Sequence, residues 1–212
     1  MLLELRQLKI QPGQQLLLED VSWQQLESIL VEWGESLSAR LSYSNGLLEI
    51  RVTLPENEKS KEIIGDMVKI LLSERGINYE ALGSTTLKNE RRIQAVEPDA
   101  FFYIQNQAAV IGKNRLDMSA DPPPDLAIEI DLTSRTQLNN YQILGVPEIW
   151  QYTGRDLKIN ILQAGKYVES DVSSTFPDIP IIELVNRYVR QSQVSGSSQA
   201  IQAFRNWVRE NL

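Results

Sequence analysis

The stretch PDLAIEIDLTSRT, residues 124–136, alternates from its second letter onward. Leu126, Ile128, Ile130 and Leu132 take the even positions, and Asp125, Ala127, Glu129 and Asp131 the odd ones. Successive side chains of a β-strand point to opposite faces, so one face of this segment is aliphatic and the other carries three carboxylates. Two readings stand side by side. In an antiparallel sheet with one wet face the acids are simply solvated. Against that, Asp and Glu are depleted in strands, and a row of like charges repels itself unless a cation lies among them. A divalent ion would supply that cation.

Working outward, Pro122, Pro123 and Pro124 set the start of this strand. The loop QNQAAVIGKNRLDMSADPPP, with a short extended piece at its beginning, joins it to a strand DAFFYI that opens with Pro98-Asp99. INYEALGSTTLK, residues 77–88, reads as one further strand. Before it, ENEKSKEIIGDMVKILLSERG places Ile63, Ile64, Met67, Val68, Ile70, Leu71 and Leu72 at helical spacing and stops at Gly76. RLSYSNGLLEIRV holds Asn45-Gly46 between two β-prone runs, the pattern of a two-residue hairpin. In DVSWQQLESILVEW, residues 20–33, Ser22 stands as N-cap with Gln25 three residues on. Trp23, Leu26, Ile29, Leu30 and Trp33 form the apolar stripe of that helix, and Gly34 is its stop.

Downstream, Thr133 to Tyr141 predicts one or two helical turns, and GVPEIWQY a strand. LKINILQAGKYVE predicts a hairpin around Ala164-Gly165. Pro180 to Arg190 and Gln199 to Leu212 read as amphipathic helices, linked flexibly through Ser195 to Ser198. The order predicts an α/β (α+β) fold, a mixed sheet flanked by helices. Residues 1–180 form its main domain, with the N-terminal helix and hairpin, and 181–212 a C-terminal helical extension.

Composition narrows the chemistry. The 212 residues include no Cys and no His, so no Ser-His-Asp or Cys-His machinery can be built and any metal must be oxygen-bound. That leaves magnesium, manganese or calcium. No apolar run reaches the roughly 20 residues that span a bilayer, and MLLELRQLKI lacks the features of a signal peptide. A cytoplasmic protein is the expectation. A net charge of −7 argues against a broad nucleic-acid-coating surface but not against a local basic groove.

Two Pro-Asp pairs, Pro98-Asp99 and Pro124-Asp125, each place an aspartate at a strand start. Glu129 shares a face with Asp125, and Asp131 extends the row. Asp125 is read as a cap on the strand after the prolines. On the long helix Glu58, Glu62 and Asp66 recur every four residues and so lie roughly on one face.

The passages EPDAFFYIQNQAAVIGKNRLDMSADPPPDLAIEIDLTSR and NYQILGVPEIWQY resemble the Uma-type family of putative restriction endonucleases, abundant in cyanobacteria, within the PD-(D/E)xK nuclease superfamily. The resemblance runs from the hairpin near Asn45 through the strand at Trp150 and the hairpin after it. It implies a restriction-endonuclease-like core and phosphodiester hydrolysis dependent on Mg²⁺ or Mn²⁺. Asp99 matches the first metal-binding acid, Glu129 the second, and Glu62 is the candidate acid on the leading helix. The superfamily pattern asks for a lysine two residues after the second acid, and this chain has Asp131 there. Asp131 is therefore either an extra ligand or the partner of Arg135, the nearest cation in sequence.

For a nucleic-acid surface the candidates are Lys88, Arg92, Lys113, Arg115 and Arg135, with Arg91 beside them. DNA is expected ahead of RNA, and a homodimer ahead of a monomer. A nuclease with an atypical active site is the leading expectation. The alternatives are a nuclease fold that has lost hydrolysis and serves in nucleic-acid or protein binding, and an acidic homodimer whose carboxylates merely face solvent.

Overall fold

The computed structural model describes residues 10–33, 39–83, 85–113, 115–130 and 135–212, without the side chains at 33 and 135–137. The expectations for Gly34, Asp131 and the side chains of Trp33 and Arg135 lie outside the described residues. The chain begins with β1 (Gln15–Leu18), α1 (Trp23–Trp33), the paired β2 (Ala39–Ser44) and β3 (Leu47–Val52), and the long α2 (Pro55–Glu74). Four strands follow: β4 (Glu80–Leu82), β5 (Leu87–Asn89), β6 (Gln94–Val96) and β7 (Ala100–Tyr103). Then come β8 (Leu126–Ile130), α3 (Arg135–Leu144), β9 (Glu148–Tyr152), β10 (Leu157–Gln163), β11 (Lys166–Ser170), α4 (Ile181–Ser195) and α5 (Ser197–Asn211).

These strands form two sheets, ordered β1-β3-β2-β6-β5 and β11-β10-β9-β8-β7-β4. The first is antiparallel throughout. The second is mixed, because α3 carries the chain over from β8 to a parallel β9.

Local chemistry explains the N-terminal layer. The Ser22 hydroxyl accepts from the Gln25 N–H at 3.2 Å and the Gln25 side chain accepts from the Ser22 N–H at 2.7 Å, the reciprocal cap expected at the start of α1. Asn45 and Gly46 both adopt positive φ, +47° and +92°, as a two-residue turn matched to strand twist requires. That turn dictates the register from Ser44↔Leu47 to Ala39↔Val52 and so sets Arg40 directly opposite Arg51. Leu41, Tyr43, Leu48 and Ile50 pack under Leu26 and Ile29 of α1. The other face of the hairpin carries Arg40, Ser42, Glu49 and Arg51, and all four are buried as well.

That polar face is buried because it meets the second sheet. On the opposite side of the second sheet α2, α4 and α5 cover the main core, where Leu126, Ile128 and Ile130 of β8 pack with Ile64, Val68, Tyr188 and Phe204. Ala127 joins a separate cluster with Phe101, Tyr103 and Tyr141. Every residue of β8 is buried. The solvated-face reading of the acids is therefore overturned at Glu129: a strand parallel to one neighbour and covered on both sides has no wet face.

Other expectations change in physical detail. INYEALGSTTLK is split between β4 in the second sheet and β5 in the first. The chain passes between the sheets there, which local β-propensity cannot express. The extended piece after DAFFYI is a 3₁₀ turn at Gln107–Ala109, and α3 runs for 10 residues, longer than two turns. The Ser195–Ser198 linker reduces to Gly196 alone, whose φ of +88° turns α4 into α5 without a flexible stretch.

Candidate active site

Asp99 is the residue before β7, and Glu129 is the fourth residue of β8. The two strands pair antiparallel with Ala100 opposite Ile128, so continuing that register by one residue sets the two acids side by side. They are 2% and 0% exposed. Asp99 Oδ2 accepts the Ile130 N–H at 2.8 Å, which ties the start of β7 to the end of β8.

Burying two neighbouring carboxylates demands compensation, and the hairpin supplies it. Arg40 Nε donates to Asp99 Oδ1 at 3.0 Å. Arg51 Nη2 lies 3.9 Å from Asp99 Oδ2 and 3.5 Å from Glu129 Oε2, while its Nη1 donates to the Ile130 carbonyl at 3.3 Å. The register that opposes Arg40 and Arg51 would by itself be repulsive. The acids of the second sheet relieve it, with Asp99 lying within 3.0 Å of Arg40 and 3.9 Å of Arg51. On the far side of Glu129 the Tyr141 hydroxyl of α3 donates to Oε1. Oε2 accepts no hydrogen bond among the described residues.

The electrostatics follow. Burial and the neighbouring Asp99 charge push the Glu129 carboxyl up to about 8, outweighing Arg51, Tyr141 and Arg40, which act in the opposite sense. Burial and Glu129 together push the Tyr141 hydroxyl well above its ordinary value. Burial likewise raises Glu97, two residues before Asp99, against the opposing pull of Thr86 and Arg40. Strongly shifted groups gathered at one point make this cluster a candidate functional site.

The helix acid that reaches this cluster is Glu58. Its Oε1 lies 3.4 Å from Arg40 Nη2 and accepts from Thr53 Oγ1 at 2.9 Å, and its Oε2 accepts from Lys61. Partial burial raises its pKa, but Lys61, Thr53 and Arg40 outweigh that and hold it below the usual glutamate value. Glu62, one turn further on, is 67% exposed and lies 3.3 Å from Lys61 Nζ. It lines a cleft between α2 and the β4–β7 edge that is also lined by Lys61, Gly65, Lys69, Gly83 and Asp99. No heavy atom lies within 4 Å of where a Cβ on Gly65 would sit, so the helix wall of the cleft is open there.

The remaining sequence-predicted residues lie elsewhere. Lys88 belongs to the first sheet and pairs with Glu27 of α1 at 2.6 Å. Arg92 donates to the Ile143 carbonyl and Lys113 to Asp121, and Arg115 is exposed in the loop before β8. None of these contacts is with Asp99 or Glu129. Asp125 accepts the N–H groups of Ile104 at 2.6 Å and Gln105 at 3.0 Å, capping the chain as it leaves β7.

Arg40, Arg51, Glu58 and Tyr141 are the members that sequence reasoning passed over. A signal for the arginines was present: they stand five residues before Asn45 and five after Gly46, so a two-residue turn obliges them to face each other.

Among the described residues no three His, Cys, Asp or Glu side chains converge as a ready metal cage. Two carboxylates with oxygen donors only, one of them offering a buried oxygen free of hydrogen bonds, still suit a hard ion that keeps several waters.

Comparison with known proteins gives three results. No curated protein matches the chain. A crystal structure described as a putative nuclease belonging to DUF820, from Anabaena variabilis, is similar at 12% identity and a TM-score of 0.48, over 70% of this chain and 90% of that one. The family model described as putative restriction endonuclease matches residues 23–190, which include both sheets' contributions to the acid–arginine cluster. The chain belongs to the Uma2 family of putative restriction endonucleases.

Proposed function

We propose that this nuclease-family chain hydrolyses phosphodiester bonds in nucleic acid, with Mg²⁺ or Mn²⁺ held by Asp99 and Glu129. The observation that carries the reading is the meeting of these two buried acids, 30 residues apart in sequence, around a single guanidinium nitrogen. When bound, such an ion polarises a phosphoryl oxygen and lowers the pKa of its water. The chain's own residues do the rest. The Ile130 N–H and Arg40 hold Asp99, and Tyr141 orients Glu129. In this reading Lys61, which lines the same cleft as Asp99, takes a phosphate oxygen. It offers the cation that Asp131 does not provide two residues after Glu129.

DNA is the substrate of first choice, tested by nicking of supercoiled plasmid with Mg²⁺ or Mn²⁺ and with chelator. Nicking by wild type should fall at least about 100-fold in Asp99→Asn and in Glu129→Gln. Equal nicking by wild type and both variants would assign the activity to another site or a contaminant. Sedimentation velocity checks the homodimer.

A second reading, a nuclease fold that binds without hydrolysing, is favoured by one observation: Arg40 and Arg51 already lie against the two acids. Duplex binding with no nicking under any divalent ion would select it.

A further inference from the structure

We propose that the recess between α2 and α5 receives an unpaired base of the strand whose phosphate enters the Asp99 cleft, with Tyr79 as the stacking platform and Arg205 on a neighbouring phosphate. The inference rests on the nucleic-acid reading above and deepens it, from any strand to one that presents an unpaired base near the cut.

Two cavities adjoin along α2. The cleft lined by Asp99 and Gly65 measures about 160 Å³. The recess, of about 380 Å³, is lined by Ser73 of α2, by Tyr79, and by Ile201 and Arg205 of α5. Lys69 borders both, so a strand can pass from one to the other along the helix. A pocket that takes a whole small ligand begins at roughly 300 Å³. The cleft falls short of that and suits a phosphodiester group, whereas the recess has room for a base.

The lining has the matching chemistry. Ile70 is buried and Ile201 half-buried, and the Tyr79 ring packs on Phe102 with centroids 6.2 Å apart. An aromatic ring beside aliphatic walls accepts any base by its π-face. Both acids of the recess are already answered: Asp66 by Lys69 at 3.1 Å, and Glu74 by Arg209 at 3.0 Å. Arg205 is exposed and has no ion pair among the described residues, which leaves its fork for a phosphate. A base stacked and paired within a duplex cannot enter, so the strand must be single or locally opened. Ile201 and Arg205 lie beyond residue 190, where the family match ends.

The test is binding of a fluorescein-labelled oligothymidylate to the full chain by anisotropy, in chelator so that nothing is cut. Wild type should bind it at least about 5-fold more tightly than an abasic strand of the same length. Tyr79→Leu, which keeps an apolar side chain against Phe102, should lose that preference. Arg205→Gln should lower the slope of log affinity against log salt by about 0.7, one phosphate contact on a single strand.

Equal binding of the two strands by wild type, no binding of either, or a preference that survives Tyr79→Leu overturns the recess. Plasmid nicking that still requires Asp99 would then leave the hydrolytic reading standing. A Tyr79-dependent preference in a protein that never nicks keeps the recess and removes hydrolysis. Should Tyr79→Leu not fold, the wild-type preference and the Arg205→Gln slope decide, and an unchanged slope overturns the proposal.

Discussion

Glu129 is an acid held in a place that favours its neutral form. Its carboxyl titrates near 8 instead of 4.5 because burial and the Asp99 charge outweigh the cations around it. The folded protein thus keeps a proton that the unfolded chain has released over that interval. The stabilisation is complete below about pH 4.5 and is lost as pH rises through about 8. Metal-free wild type should lose stability in urea between about pH 5 and about pH 9, with a slope approaching about 1.4 kcal/mol per pH unit. Glu129→Gln should flatten that slope. A wild-type stability independent of pH over this range would remove Glu129 as a buried protonated acid.

At the scale of elements the β2–β3 hairpin decides whether the site exists, because its turn sets which residues face the second sheet. Gly46 at φ +92° meets no heavy atom closer than 3.8 Å around a would-be Cβ, so the cost of a side chain there is conformational. Gly46→Ala should destabilise by about 1–2 kcal/mol in denaturant titration. A neutral result would mean that the turn tolerates a different geometry. Inserting one residue after Gly46 is more severe, since a one-residue slip sends Glu49 and Arg51 to the opposite face.

Elements of this kind were also the most legible. The cap at Ser22, the Asn45-Gly46 turn and the apolar spacing of α2 are local signals, and each reappears in the structure. The fate of INYEALGSTTLK was not legible, because which sheet accepts a strand depends on partners far along the chain. The site divides the same way. The Pro-Asp pair placed Asp99 at a strand start and the alternation singled out Glu129, the family resemblance implied that the two belong together, and the paired strands bring them together. Glu58 and Glu62 share a helix face, and what separates them is where the Arg40 side chain reaches, which helical spacing does not encode.

Across the whole molecule one apolar cluster draws on α2, β8, β9, α4 and α5, with Phe204 of α5 fully buried against Tyr188 at 5.2 Å between ring centroids. The last helix therefore contributes to the core beneath the acids. Phe204→Ala should cost about 3–5 kcal/mol, read as a single shifted unfolding transition. A separate early transition would show instead that 181–212 unfolds independently.

The origin of the four central charges has a consequence for synthesis. The carbonyl that anchors Arg51 lies 79 residues further along the chain. At about 5–20 residues per second, the hairpin leaves the ribosome roughly 4–16 s before the end of β8 does. During that interval Arg40 and Arg51 face each other across a strand pair without Glu129 and the Ile130 carbonyl. A nascent chain halted before β8 carries no completed site, so the capacity to cut nucleic acid would arise only after most of the molecule has been made.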